Sequence, residues 1–411
     1  MAPKGRAIAL VGFAGRKRGS QRNSYQGYKS NARDMFYLLV HILKTYSLKN
    51  NFLNGNLSAI VKKVLIAPLD WGLGHATRCI PVIRQLQKRG AEVLVATSGP
   101  ALSLLQKEFA GLQCFNLPAY NPVYPSTGSM VWKMGAQLPK FINTINKEQK
   151  TIEEIVAAQK VDVVISDNRY GAYSKKVKSV FITHQLSILM PPAWKWMEGV
   201  VNYFNHRQIA KFSECWLPAP PQTPFTALMP TNNALSPGYI GYLSRLTPKQ
   251  VPLKYEVAVI CSGPEPQRSI FEEMVLQQLV PLRKKAIVVR GLPDEKQKFN
   301  RQQESVTIVN YLESAEINEV LCESGIVICR SGYSMVMDLM QIGGKALFIP
   351  TPGQTEQQYL AEVLKEQGVA TFFSQQHLNL EKALKESEKY RGFHTFGTGE
   401  DWLTKAIDTL L

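Results

Sequence analysis

From residue 61 onward the chain alternates short apolar runs with longer amphipathic stretches. An apolar run at 64–67, a Gly-containing turn at 70–74, helical spacing over 76–89 and a second apolar run at 92–96 predict a strand, turn, helix and strand in that order. Further strands are predicted at 113–117, 161–166 and 179–183, with a helix over 141–159 between the first two. Residues 217–243 break the pattern with eight Pro and Gly, after which a second series begins. It reads as strand 256–261, helix 270–278, strands 285–289, 306–309 and 326–329, helix 334–342 and strand 346–349. Strands that alternate with helices bury both faces of a parallel sheet, so the expectation is an α/β protein with two Rossmann-like domains whose sheets face a central cleft. The boundaries expected are a first domain at 61–235, a linker at 236–245, a second domain at 246–395 and a closing helix at 396–411 that packs back on the first. Residues 1–60 lack sustained periodicity and are expected to be a disordered extension, with weak helicity at 35–53.

Composition narrows this picture. A chain of 411 residues, 45% hydrophobic and 19% charged, can bury two ordinary cores. The net charge of +16 is uneven, because residues 1–60 hold ten Lys and Arg against Asp34 alone, leaving +7 to the rest. No Arg and aromatic platform accompanies that +7, so no nucleic-acid partner is expected, whereas phosphates and an anionic membrane surface suit it. The six cysteines form no CxxC pair and no Cys/His cluster at zinc spacing, which points to a reducing compartment and no metal site. No apolar run approaches the ~18 residues of a spanning helix. The expectation is a cytoplasmic chain in peripheral contact with the inner membrane face. Residues 191–216 interleave Trp194, Trp196, Tyr203, Phe204, Phe212 and Trp216 with Lys195, Arg207 and Lys211. Such a segment suits lipid headgroups or a lipid-linked acceptor, and equally suits packing inside the protein.

Candidate chemistry gathers where strands end. The turn Asp70-Trp-Gly-Leu-Gly-His-Ala-Thr-Arg78 leads from a strand into a helix, whose first N–H groups favour an anion. Gly72 and Gly74 permit close approach, but Thr77 stands where a dinucleotide fingerprint needs Gly, and the Gly-Lys-Ser/Thr ending of a phosphate loop is absent. His75 at this mouth suits proton abstraction from a hydroxyl or contact with a phosphate. Asp167 follows an apolar strand, at the sheet edge where open α/β folds bind ligands, and His184 occupies a similar edge after the next strand. In the second half, Gly263 lies in a strand-to-helix loop. The run Cys329-Arg-Ser-Gly-Tyr-Ser-Met-Val-Met-Asp338 ends a strand at a small-residue turn containing Arg330, Ser331, Gly332 and Ser334. A helix beginning there would aim its N-terminus at a diphosphate, with Asp338 placed to accept from ribose hydroxyls. Gln357 and Gln358 supply neutral donors and acceptors suited to a sugar.

This ordered constellation resembles the C-terminal domain of glycosyltransferase family 28, the family of the peptidoglycan N-acetylglucosaminyltransferase. Gly332 followed six residues later by Asp338 matches that family's turn and ribose-binding acid, which is more often Glu. Gln357 and Gln358 match its Gln pair, Asn310-Tyr311-Leu312 falls at its base-contacting loop, and Gly72, Gly74 and His75 match its N-terminal Gly-rich loop. The first loop lacks the longer Gly run of that enzyme, and the acceptor half shares little else.

The resemblance implies a GT-B fold and transfer of a hexose or N-acetylhexosamine from a UDP-sugar to a hydroxyl acceptor, glycan or lipid-linked, with inversion. It implies no cofactor, since the UDP-sugar is a substrate, and no metal, since no Asp-x-Asp pair is present and loop dipoles would steady the leaving diphosphate. His75 and Asp167 are the base candidates. Two other readings stay open: a nucleotide-sugar 2-epimerase of the same fold, and a noncatalytic nucleotide-sugar-binding protein.

Overall fold

A computed structural model describes residues 61–125, 130–225, 228, 236–293, 300–393 and 401–411. The expectations for residues 1–60, including helicity at 35–53, lie outside the described residues. Residues 61–411 form one compact unit containing two sheets.

The first sheet holds β1 Lys63–Pro68, β2 Glu92–Thr97, β3 Gln113–Asn116, β4 Val163–Asp167, β5 Lys178–Ile182, β6 Glu214–Leu217 and β7 Gly238–Tyr239. All are parallel, in the order β3-β2-β1-β4-β5-β6-β7. Helices α1 Leu73–Lys88, α2 Gly99–Glu108, α3 Met130–Gly135, α4 Leu138–Gln159 and α5 Glu198–Ile209 connect them. A residue on β1 pairs with both β2 and β4, so its side chains meet helices on both faces. Val64 and Ile66 pack on one face with Ile80 and Ile83 of α1, and Leu65 and Ala67 pack on the other with Ile152 and Ile155 of α4. Burying each such aliphatic side chain contributes about 1.5–3 kcal/mol, which explains why these strands are apolar throughout rather than alternating.

The second sheet holds β8 Tyr255–Ile260, β9 Ala286–Val289, β10 Asn300–Gln303, β11 Val306–Val309, β12 Ser324–Cys329, β13 Ala346–Phe348 and β14 Thr371–Phe372, in the order β10-β11-β9-β8-β12-β13-β14. Only β10 runs antiparallel, against β11. Its helices are α6 Gln267–Leu279, α7 Ser314–Cys322, α8 Tyr333–Ile342, α9 Thr355–Glu366 and α10 Leu380–Ser387. The last helix, α11 Trp402–Leu410, returns to the first half: Arg89 pairs with Asp408, Gln85 donates to Thr404, and Lys62 Nζ donates to the Leu410 carbonyl at 3.1 Å.

Two features depart from the pattern read in the sequence. The stretch 236–245 is not only a connector, because Gly238 and Tyr239 pair with Trp216 and Leu217 and extend the first sheet. A two-residue strand among Pro and Gly leaves no periodicity to read. Within 191–216, Phe212 and Trp216 turn inward, with Phe212 against Phe181 and Trp216 in the main core, so the aromatic segment is split between core and surface.

Candidate functional site

The C-terminal edges of both sheets supply the site. Register places Pro68 beside Asp167 and Asp167 beside Ile182, so Asp167 ends β4 between two neighbours, with α1 starting just above it. No side chain caps the first turn of α1 or of α8, which leaves their leading N–H groups unclaimed by caps. These two helix starts touch: Ser334 Oγ donates to the Gly74 carbonyl at 2.9 Å. A Cβ at Gly74 would lie 3.1 Å from Ser334 Oγ, so the glycine permits the approach of the two halves. Thr77, in the turn read as an acceptor or phosphate loop, donates through Oγ1 to the Gly74 carbonyl at 3.0 Å. Gly72 adopts φ 142°, a conformation that disfavours any side chain.

Asp167 is wholly buried and is held by Arg78, whose Nε donates to Oδ2 at 2.5 Å and whose Nη2 pairs with Oδ1. Burial alone would raise the Asp167 carboxyl, but the Arg78 charge and His75 hold it far below the usual carboxylate range. His75 Nδ1 lies 3.0 Å from Asp167 Oδ1 and 2.9 Å from Arg78 Nη2. Only one of these can be a hydrogen bond, since that nitrogen carries either a proton or a lone pair. Burial, then the Arg78 charge, lowers the His75 pKa. His184 is committed on both sides: Nδ1 accepts from Arg78 Nη1 at 2.8 Å, and Nε2 then donates to Glu356 Oε1 at 2.8 Å. Burial opposes ionisation of Glu356, but His184 and Arg78 hold its pKa below the ordinary value. The His184 ring stacks on Tyr333 at 4.3 Å, and Tyr333 donates to the Pro218 carbonyl at 3.1 Å.

Thus His75, Asp167 and His184 converge, as members of a chain that also holds Arg78 and Glu356. Sequence reasoning passed over those two and Tyr333. Arg78 was detectable as a cation one turn before the apolar Val82 on the same side of the helix, and Glu356 stands directly before the Gln pair.

A second buried network braces the edge beneath. Arg169 pairs with Glu148 at 2.5 Å and with Asp70 at 3.3 Å, while Glu148 also accepts from Tyr120 Oη and from the Gly171 N–H. Both Arg169 and Glu148 are fully buried.

On the donor side the residues spread over several environments. Ser331 Oγ donates to the Gln357 carbonyl at 2.7 Å, and Gln357 Oε1 accepts from the Thr351 N–H at 2.8 Å, so both brace the turn between β13 and α9. Gln358 is exposed, with its amide donating to Glu362 Oε1 at 3.1 Å. Asp338 is buried and accepts from Ser244 Oγ at 2.6 Å; burial pushes its carboxyl up to about 6, against the opposing charge of Arg245. Arg245 also acts on Tyr311, and Lys107 covers the Tyr311 ring at 5.5 Å. Ser244 and Arg245, from the stretch between the sheets, are further residues that sequence reasoning missed. Asn310 is buried and accepts from Arg290 Nη1 at 2.9 Å, with Leu312 packed on the core. Gly332 caps α8, and Gly263 adopts φ 102° at the turn between β8 and α6. Arg330, read with the donor residues, is set apart. Its guanidinium is buried over Phe271 and donates to the Ile349 and Gln267 carbonyls and to Gln375 Oε1, and burial lowers its pKa to about 10.

Residues 266–392 match the glycosyltransferase family 28 C-terminal domain. Over 86 residues, the chain is 38% identical to the UDP-N-acetylglucosamine–N-acetylmuramyl-(pentapeptide) pyrophosphoryl-undecaprenol N-acetylglucosamine transferase of Histophilus somni. That match spans 21% of this chain and 24% of the relative, so the chain covers about a quarter of that relative's length. An uncharacterized glycosyltransferase of Methanosarcina mazei is 22% identical across 80% of this chain and 91% of its own. Among solved structures, the calicheamicin glycosyltransferase CalG4 superposes with a TM-score of 0.56 at 13% identity, covering 85% of this chain and 98% of its own. The glycotransferase of kitacinnamycin gives 0.55 at 15%, with the same coverage. The likeness to these structures is one of fold. Residues 266–392 are therefore similar to the glycosyltransferase family 28 C-terminal domain, within a chain whose two α/β halves share the GT-B fold.

Proposed function

We propose that this chain transfers a glycosyl unit from a nucleotide-sugar, of the UDP-sugar class, to a hydroxyl of a glycan or lipid-linked acceptor, with inversion at the anomeric carbon. The observation that carries the reading is the pairing of the partly exposed His75, at the start of α1, with the buried Asp167, in a turn that touches the start of α8. His75 donates from Nδ1 to Asp167, which leaves the Nε2 lone pair to take the acceptor proton. Its lowered pKa keeps it neutral near pH 7 and able to do so. As the hydroxyl oxygen bonds the anomeric carbon, the bond from that carbon to the diphosphate oxygen breaks, and the nucleoside diphosphate leaves with the electron pair. Unclaimed N–H groups at the start of α8 and in the turn around Gly263 would steady the developing charge. Asp338 would accept from ribose hydroxyls, and Gln357 and Gln358 would bond the sugar.

The family 28 match over 266–392 supports a nucleotide-sugar donor. So does the fold shared with the spinosyn rhamnosyltransferase SpnG, whose structure is a complex with thymidine diphosphate (TM-score 0.52, 17% identity). The test is incubation of the full chain with UDP-hexoses and UDP-N-acetylhexosamines, with and without a lipid extract. Acceptor-dependent UDP release, reduced about 100-fold or more by His75→Ala, is expected. An isomerised donor, or binding without turnover, would overturn the reading.

A further inference from the structure

Three consecutive residues at the start of α9 each reach a residue of the first half. Gln354 Nε2 donates to Tyr124 Oη at 2.6 Å, Thr355 Oγ1 donates to the Leu189 carbonyl at 2.7 Å, and Glu356 Oε1 accepts from His184 Nε2 at 2.8 Å. Of the three, Glu356 alone brings a charge, and it brings it to the network that holds His75. Its partner His184 has one arrangement open to it. Arg78 Nη1, which can only donate, faces Nδ1 at 2.8 Å, and the Glu356 carboxylate, which can only accept, faces Nε2. The ring therefore carries its proton on Nε2, and Arg78 keeps its Nε and Nη2 for Asp167. Charge balance gives Glu356 a second effect. Two carboxylates, Asp167 and Glu356, face the one guanidinium of Arg78; burial opposes the ionisation of both acids, but their cationic and imidazole neighbours outweigh it. Cys79 and Tyr333, packed against the same groups, stay neutral because burial pushes both up. When His75 takes a proton, a second cation joins and the network becomes neutral. Without Glu356 the same step would leave an excess positive charge in a low-dielectric site, which raises the barrier.

We propose that Glu356 is a positioning residue that the second half lends to the first: it fixes His184 and Arg78 and balances the proton that His75 takes from the acceptor hydroxyl, so the base is complete only where the halves meet. This rests on the reading of His75 as the base of a glycosyl transfer. In an opened cleft His184 loses its acceptor and the network loses its second carboxylate, which leaves a bound sugar donor facing a weakened base.

Two variants of the full chain test it: Glu356→Gln keeps the size of the side chain and removes the charge, and Glu356→Asp keeps the charge on a shorter arm. Imidazole NMR without substrate should show His184 protonated at Nε2 in the wild type at about pH 7. The His75 titration midpoint should fall by roughly half a pH unit in Glu356→Gln and stay close to wild type in Glu356→Asp. In turnover with UDP-sugars and a lipid extract, Glu356→Gln should lower kcat roughly tenfold and displace the acid limb of its pH profile to lower pH, while KM for the UDP-sugar changes less than about twofold. Glu356→Asp should recover part of that loss. A rise in that KM with the acid limb unmoved would overturn the proposal in favour of a direct contact with the sugar donor. Equal losses in the two variants, or an unmoved His75 midpoint in Glu356→Gln, would overturn it too. Absence of UDP release from the wild type would sink the transfer reading instead, and the imidazole titration would still decide whether Glu356 acts on His75.

Discussion

Replacing Asp167 by Asn keeps the size of the side chain and removes its charge. Asp167 and Arg78 are 0% and 1% exposed, so solvent screens neither and the cost of orphaning a buried ion applies in full, about 3–5 kcal/mol. Arg78 keeps His184 Nδ1 as an acceptor, which places the expected loss near the lower limit, about 3 kcal/mol. The native Asp167 pKa is depressed, so its contribution is present above the unfolded value of about 3.9 and is lost as pH falls below it. The stability gap between wild type and variant should be constant from about pH 8 to 5 and close in stronger acid. His75 loses both the partner that orients it and the charge that raises its basicity, so kcat should fall by about 10²–10⁴. A double variant, Arg78→Met with Asp167→Leu, separates the two effects. With both charges gone, stability should recover to within about 1 kcal/mol of wild type while turnover stays lost. Thermal and denaturant unfolding, read beside UDP release, measure both. Wild-type turnover in Asp167→Asn, or a double variant that regains activity along with stability, would refute the reasoning.

Two further outcomes follow from the same geometry. A Cβ at Gly171 would lie 2.3 Å from the Ile145 carbonyl oxygen and 2.7 Å from Glu148 Oε2, so Gly171→Ala should displace the buried Glu148–Arg169 pair and cost about 3 kcal/mol, measurable by thermal unfolding. The carboxyl of Asp338 is raised to about 6 in the folded chain, so its ionisation opposes folding as pH rises through that value. Asp338→Asn should therefore melt higher than wild type at pH 8 and equally below about pH 4, while its thermal shift with UDP should shrink; equal melting at pH 8 would contradict this.

Much of the architecture was readable because it is local. Strand β1, the turn at Asp70–Gly74 and the helix after it declare themselves through an apolar run, two glycines and helical spacing within some 25 residues, and Asp167 could be placed at a sheet edge because its strand is apolar to the end. What escaped reading was pairing at a distance. Arg78 is 89 residues from Asp167 and 106 from His184, and Glu356 is 172 from His184, so no spacing rule could join them. The split of the aromatic segment was equally hidden. Whether Phe212 faces Phe181 or solvent depends on where β6 docks, which is a property of the sheet and not of the segment.

The return of α11 to the first half has a mechanical consequence. The chain crosses between the halves twice, once between Tyr239 and Tyr255 and once between Phe393 and Trp402, and α11 is tied to α1 at Gln85 and Arg89. A body tethered at two points has fewer ways to move against its neighbour than one tethered at a single point. Opening would then part Ser334 from Gly74 and Glu356 from His184 together, and closing would bring each back to the same partner. The connectivity of the chain thus limits how far the two helix starts can stray from one another.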